Sequence, residues 1–436
     1  MKPSLALPAI MTDAYGGHGG IAQYNHDFLG ASARGAPSHR LRFCRVKHPT
    51  PVHQRPGLPR TVEARPQRAR YTIHCLRCLM PSVLALVTDA FGGRGGIAQY
   101  NRDFLAALAS AGSKVVVLPR HAPDAERPPN GIEQRPARFG RLAYSWSAIA
   151  DALSLKPDIV FCGHVYMAPL AWLAAKLAGA KLVIQTHGID AWRRSSRLVR
   201  GACEQASMIL SVSRYTRASV LDWAAIPPER AVVIPNTVSD CFTPGDGAAL
   251  RREWSLEGKK VLLTVGRMAA SERYKGQDRV IEAIPSLAAA GHDVVYVIAG
   301  EGDDRPRLEG LAREIGVSDR VRFVGALSRE TLIEAYRMAD LFVMPSTGEG
   351  FGVAFLEAMA CGTPVLGLDV AGARDALCDG ELGQMVDEKE FRSALARMIA
   401  NFGPDPEILA GAVRERFGRD RFANAVRSAI LRPLEA

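Results

Sequence analysis

From residue 82 onward, short apolar runs alternate with longer amphipathic stretches. Runs at 83–87, 115–118, 159–162, 182–185, 209–212 and 231–234 read as buried strands, most followed by a helical pattern such as 98–109. A second series follows at 261–265, 294–298, 321–324, 341–344 and 364–366, and long helices near 389–399 and from about 408 close the chain. Strands that are apolar throughout, spaced by helices, predict parallel sheets covered on both faces. The stretch 239–258 is polar and glycine-bearing and reads as a linker, which divides the body into two doubly wound α/β units. In such sheets ligands bind beyond the carboxyl ends of the strands.

The beginning of the chain repeats itself. Residues 12–29 recur as residues 88–105 with three differences, Tyr15/Phe91, His18/Arg94 and His26/Arg102. After Leu29 the likeness fades. Residues 38–77 are rich in Arg, His and Pro, and Pro37, Pro49, Pro51, Pro56, Pro59 and Pro66 would interrupt a long helix or central strand. Residues 1–80 are therefore expected to be a partial duplicate without stable order, from a displaced start or a frame-shifted reading. The alternative is a regulatory or membrane-contacting extension.

Charge sharpens this division. The net +10 of the 436 residues suggests nucleic acid or anionic membrane until it is located. Residues 1–80 carry 12 Lys and Arg against Asp13, Asp27 and Glu63, a net of +9, and the remainder is nearly neutral at +1. The main body thus gives no sign of a nucleic-acid partner. Eight scattered cysteines, including the lone pair Cys75 and Cys78, make no disulfide framework and suit a reducing cytoplasm. No apolar run reaches the roughly 18 residues of a membrane span, and no secretory leader is evident.

Chemistry concentrates after the strand 341–344. Residues 345–352 form a glycine-rich loop, and a helix over 353–361 is stopped by Gly362 and Pro364. The amides of Gly350, Phe351, Gly352 and Val353 point out of the helix entrance, where partial positive charge favours anions or sugar oxygens. Glu349 stands at the mouth and Glu357 about one turn further in, and carboxylates so placed suit hydroxyl donors such as a hexose or ribose. In the first unit, Gly92, Gly93, Arg94, Gly95 and Gly96 follow a strand and open a helix, so backbone can approach an anion closely. The loop also fits a loose dinucleotide fingerprint. The second strand, however, ends Leu118-Pro119-Arg120 without an acid for a ribose, which disfavours a dehydrogenase.

The glutamate pair, with Glu357-Ala-Met-Ala-Cys-Gly-Thr-Pro-Val365 after it, closely resembles the retaining glycosyltransferases of family 4, which have the GT-B fold. Val265-Gly-Arg267, Tyr274-Lys-Gly276, Ala299-Gly-Glu-Gly302 and Ile234-Pro-Asn236 extend the resemblance from about residue 81 to the end. It implies two Rossmann-like domains facing across a cleft, an acceptor-side one over 81–245 and a nucleotide-sugar-binding one over 258–415. Residues 416–436 would then return as a helix across the junction.

The resemblance also implies roles. Arg267 and Lys275 would contact the donor diphosphate, Glu349 the transferred sugar and Glu357 the nucleotide ribose, and His187 would lie near donor sugar and acceptor as a polar positioner. Glu301 and Asn236 match positions with less defined roles, and the family usually has Gly where Thr237 stands. Developing charge on a leaving diphosphate must be neutralised, and two cations can do so where no Asp-x-Asp is present to hold a metal. No cofactor and no metal are expected. The donor would be GDP-mannose or a UDP-hexose, mannose slightly favoured because residues 271–276 resemble members acting in exopolysaccharide or lipid-linked oligosaccharide synthesis. The acceptor would be a glycan or a polyprenyl-linked glycan. Arg193, Arg197 and Arg200 are expected on one helical face, Arg194 adjacent, as a peripheral contact with anionic membrane. A sugar-nucleotide epimerase of the same fold and a non-catalytic partner protein remain as alternatives.

Overall fold

The computed structural model describes residues 81–431 apart from Arg94, Pro123, Ala125 and Phe402. The expected disorder of residues 1–80, with Cys75 and Cys78, and the last residues of the expected C-terminal helix lie outside the described residues.

Seven strands make the first sheet: β1 Val83–Val87, β2 Val115–Pro119, β3 Ile132–Gln134, β4 Ile159–Cys162, β5 Lys181–Thr186, β6 Met208–Ser211 and β7 Ala231–Val233. They run in the order β3-β2-β1-β4-β5-β6-β7, all parallel. Six make the second: β8 Lys260–Val265, β9 Val294–Ala299, β10 Val321–Gly325, β11 Leu341–Met344, β12 Val365–Leu368 and β13 Gln384–Val386. Their order is β10-β9-β8-β11-β12-β13, again all parallel. Both are doubly wound sheets whose direction reverses beside the first strand, so each has a crevice at the carboxyl ends of its central strands. The loops after β1 and β4 open on one crevice, those after β8 and β11 on the other.

Two edge strands escape the apolar pattern. β3 buries only Ile132 and β13 only Val386, too few positions for a period to show. The strand expected at 364–366 is Val365–Leu368, since proline has no N–H for the ladder, although the Pro364 carbonyl still accepts from Phe342 N at 2.9 Å. The expected linker contains a helix, Ala248–Glu253, whose Arg251 guanidinium donates to the Met338 carbonyl at 2.7 Å and pairs with Asp340 at 2.9 Å. It is part of the second half's packing and not a free connector.

The halves share buried apolar contacts. Phe104 stacks on Phe161 at 4.4 Å inside the first half. Tyr100 of that half meets Phe422 of the C-terminal helix Arg419–Val426 at 6.1 Å. The preceding helix, Pro406–Phe417, lies on the second half, where Phe417 meets Phe351 at 6.0 Å. The chain therefore crosses between halves at Gly418. Thr237 marks the same crossing from the other side: its hydroxyl donates to the Phe417 carbonyl at 2.7 Å.

The arginines predicted on one helical face are divided. A short helix ends at Trp192, and Ser196 caps a new one, Arg197–Gln205, by accepting from Val199 N. Arg193 and Arg194 thus lie between helices, and Arg200 pairs with Glu204 at 3.5 Å. Ser195 and the N-cap Ser196 break the period that the arginine spacing implied.

Candidate active site

The two crevices meet where β5 ends. Gly188 takes φ 132°, and a Cβ there would stand 2.5 Å from Cα of Gly350; a Cβ on Gly350 would strike the His187 carbonyl oxygen. Backbone touches backbone here, and only glycine on both sides permits it. This contact brings His187 of the first half to the Glu349 turn of the second.

His187 is buried at the end of β5. Its Nε2 lies 2.9 Å from the Gly163 carbonyl oxygen, which can only accept, so Nε2 carries the proton. Nδ1 is left with a lone pair and no hydrogen-bond partner among the described residues. Burial pushes the imidazole down to about 4, against the carbonyl that favours its charged form, and the ring is neutral at pH 7. Tyr100 meets it edge-on at 5.2 Å. Half-buried Asp190 accepts from His187 N at 3.1 Å, and burial pushes its carboxyl up to about 7. His164, 6.1 Å from His187 between ring centres, is pushed down to about 3 by burial and by the neighbouring imidazole.

In the glycine loop, Gly92 N donates to Glu126 at 2.7 Å and Gly93 N to the Ala90 carbonyl at 3.0 Å. Gln134 of β3 holds Phe91 through both its amide atoms, at 3.2 and 2.8 Å. The loop is thereby braced from the sheet edge, and Gly95 and Gly96 begin the helix Gly96–Ser110. Arg94 lies outside the described residues.

Across the cleft, Glu349 is buried with Oε2 unpartnered. Desolvation pushes its carboxyl up to about 7; the Lys275 charge and the Gly350 amide pull it down, and the Glu272 charge pushes it further up. Lys275 ends the helical segment Ala270–Lys275 after β8, and that segment is tied to the Glu349 loop by Thr347 N donating to the Tyr274 carbonyl at 2.8 Å. Arg267 and Lys275 converge on one buried acid, Glu272: Arg267 Nη2 pairs with Oε1, and Lys275 Nζ stands 3.6 Å from Oε2. Glu272 was not among the residues that the sequence singled out. The signal available was an acid three residues before Lys275, on the same face of a helical turn.

Gly350 to Val353 lead into the helix Val353–Ala360, with Gly352 at φ 99° as its N-cap. The Phe351 side chain is fully buried against Phe417, so only its backbone can serve a ligand. Glu357 accepts from the Tyr336 hydroxyl at 2.8 Å. It also lines a cavity of about 520 Å³ between the halves, with Gly95, Gln99 and Arg102 on one wall and Leu332 and Arg329 on the other. Gln99 Oε1 spans that cavity, accepting from Arg102 Nη2 at 2.5 Å and Arg329 Nη2 at 3.3 Å. Glu301 is exposed after β9, where its carbonyl accepts from Met268 N at 2.8 Å. Asn236 is buried with both side-chain polar atoms unpartnered. Among the described residues no group of three or more His, Cys, Asp or Glu is placed to hold a metal ion, and no helix is long and apolar enough to cross a membrane.

Residues 94–240 match the model described as Glycosyltransferase Family 4, and residues 248–418 match Glycosyl transferases group 1. The chain is 29% identical over 330 residues to a D-inositol 3-phosphate glycosyltransferase of Geodermatophilus obscurus, covering 69% of this chain and 71% of that protein. It is also 29% identical over 360 residues to the GDP-mannose-dependent alpha-(1-6)-phosphatidylinositol monomannoside mannosyltransferase of Mycolicibacterium smegmatis, covering 75% and 91%. Among solved structures, Anabaena HepE in complex with UDP superposes with a TM-score of 0.65 at 20% identity, over 80% of this chain and 99% of that one. With one model on each half and the same two-sheet architecture in solved structures, the chain belongs to the family 4 glycosyltransferases and has the GT-B fold.

Proposed function

We propose that this glycosyltransferase moves a hexose from a nucleoside diphosphate sugar to an acceptor hydroxyl with retention of anomeric configuration, in exopolysaccharide or lipid-linked glycan synthesis. The observation that carries the reading is the convergence of Arg267 and Lys275 on Glu272 beside the buried Glu349. Two cations held in place by one acid are ready to trade it for a diphosphate. The charge that develops as the sugar–phosphate bond breaks then meets donors already in position. Glu349 takes the transferred sugar's hydroxyls, Glu357 the ribose, and the amides of Gly350, Phe351, Gly352 and Val353, with Gly95 and Gly96 opposite, face the donor's oxygens. Glu301 serves the donor from the end of β9. His187 positions through its Nδ1 lone pair.

In the same-face route the acceptor oxygen attacks the anomeric carbon while the bond to the diphosphate breaks on that face. The acceptor proton passes to the departing phosphate oxygen. Mannose is favoured: a similar protein is named as GDP-mannose-dependent, although HepE binds UDP. A polyprenyl-linked acceptor would be met in the cytoplasm at the inner face of the membrane, with Arg193, Arg194 and Arg197 as exposed basic residues.

Radiolabelled GDP- and UDP-sugars, with and without a polyprenyl-diphosphate glycan, test this. Label reaching the glycan, with the anomeric configuration read by NMR, is the expected result. Donor conversion without acceptor would instead indicate an epimerase, and no conversion of any donor a non-catalytic protein.

A further inference from the structure

On the side of the cleft away from Gln99, the first half reaches over to the second through one arginine. Arg214 begins the helix Arg214–Trp223, which Ser213 caps by accepting from Thr216 N. Its Nε donates to Asp375 Oδ1 at 2.9 Å, its backbone N to the same oxygen at 3.3 Å, and its Nη2 to Asp379 Oδ1 at 2.8 Å. The Asp375 side chain is 6% exposed and that of Asp379 57%. One arm of this contact is therefore shielded from water and the other is not. Burial raises the Asp375 carboxyl, and Arg214 opposes that rise; without Arg214 the acid would be a buried charge with its main counter-ion gone.

Asp375 is connected to the site by backbone. Asp375 N donates to the Gly372 carbonyl at 3.1 Å, and Gly372 N donates to the Glu349 carbonyl at 2.9 Å. A Cβ on Gly372 would strike the Gly350 carbonyl oxygen, so this segment packs directly on the Glu349 turn. The same helix end holds the turn from a second direction. Thr216 Oγ1 accepts from Trp192 Nε1 at 3.1 Å, and the Trp192 ring lies 3.4 Å from where a Cβ on Gly348 would stand. A charge pair on one side and an indole on the other clasp the residues around Glu349 against the first half.

We propose that Arg214 is a positioning residue for transfer: its bonds to Asp375 and Asp379 hold the halves closed and keep the Glu349 turn seated before the donor arrives. This role rests on the transfer reaction proposed above. A donor that bridges both halves can itself restore closure. Loss of the latch therefore lowers the fraction of molecules ready to bind, and the apparent donor affinity falls by that fraction.

The full-length Arg214→Ala variant tests it with the preferred labelled donor. The donor KM is expected to rise about tenfold while kcat at saturation stays within about twofold, as the population-shift relation requires. Arg214→Lys, which can keep one arm, should recover part of the KM. Asp379→Asn alters only the exposed arm, leaves the buried pair intact, and should give a smaller rise in the same direction. A merely structural role would lower kcat through lost active protein and leave KM alone, and that pattern overturns the proposal. Small-angle scattering without donor is independent of turnover: Arg214→Ala should have the larger radius of gyration, and an unchanged curve overturns the latch whatever the transfer assay shows. Failure of the transfer reading looks different, as wild-type protein that turns over none of the donors.

Discussion

On the first half's wall of the cleft, His187 and His164 are buried as neutral imidazoles; on the second half's wall, Glu349 is buried beside Lys275 and Glu272. The imidazole of His187 has its proton committed to the Gly163 carbonyl, a partner that does not titrate. Glu349 has an unpartnered oxygen, and its charge depends on two other charged side chains. One wall is built to hold a shape and the other to respond to what enters. The opposite pH behaviour of the two follows from the same difference. Glu349 is raised above its ordinary 4.5, so the stability linked to it is full below 4.5 and is lost as pH rises through about 7. His187 is depressed below 6.5, so its contribution is full above 6.5 and is lost as pH falls through about 4.

The largest effect expected is on the responsive wall. Lys275→Ala removes one of the two cations proposed to face the leaving group and should lower kcat/KM about 10²–10³-fold, roughly 3–4 kcal/mol of transition-state stabilisation. Arg267→Ala should do the same. Near-wild-type turnover in either, measured with labelled donor, would break the comparison at its root. Glu349→Gln comes next. It keeps the shape but removes the titration, so its stability relative to wild type should rise between pH 5 and pH 8 by roughly 2.5 kcal/mol, as read from urea unfolding. Activity should fall while stability at alkaline pH improves. A parallel pH dependence for the two proteins would show that Glu349 is not the strained acid.

How much of this was readable beforehand depends on what each residue's neighbours are. Glu349, Glu357 and Gly350 lie within one continuous stretch, where loop, helix entrance and acids are all adjacent in the chain. Arg267 and Lys275 are legible for the same reason, since one loop carries both. Contacts assembled from distant segments left no such trace. Asp375 and Arg214 are 161 residues apart, and neither sits in a run that marks it. Glu272 lies between Arg267 and Lys275 in the chain, but whether it faces solvent or bridges the two cations depends on how that segment packs on Pro345 and Thr347. β3 carries Gln134, which braces the glycine loop, yet with one buried position it shows no period. The arginine face failed because the four-residue step from Arg193 to Arg197 was read as one helix, whereas the first helix ends at Trp192 and Ser196 caps a new one.

On the shape-holding wall, His187→Gln should unfold with a flatter acid limb. Wild type is expected to lose roughly 2 kcal/mol between pH 7.5 and pH 5 through this one imidazole, as the displacement from 6.5 to about 4 implies. The variant should not lose it. Equal acid sensitivity would mean that His187 is not held neutral in the fold.

The smallest effect separates binding from chemistry within the responsive wall. Tyr336 is buried and its hydroxyl donates to Glu357 at 2.8 Å. Tyr336→Phe keeps the ring packing and deletes this bond alone, worth about 1.5–3 kcal/mol when the acceptor is charged and less where water can replace the donor. Glu357 lines the open cavity, so water is at hand and the lower end applies. If Glu357 holds the ribose, a looser carboxylate weakens donor binding in ground and transition states alike, and the donor KM should rise several-fold with kcat unchanged. A fall in kcat at constant KM would place Glu357 among the groups that act only as the bond breaks, alongside Arg267 and Lys275, and would redraw the division between holding the nucleotide and neutralising the leaving group.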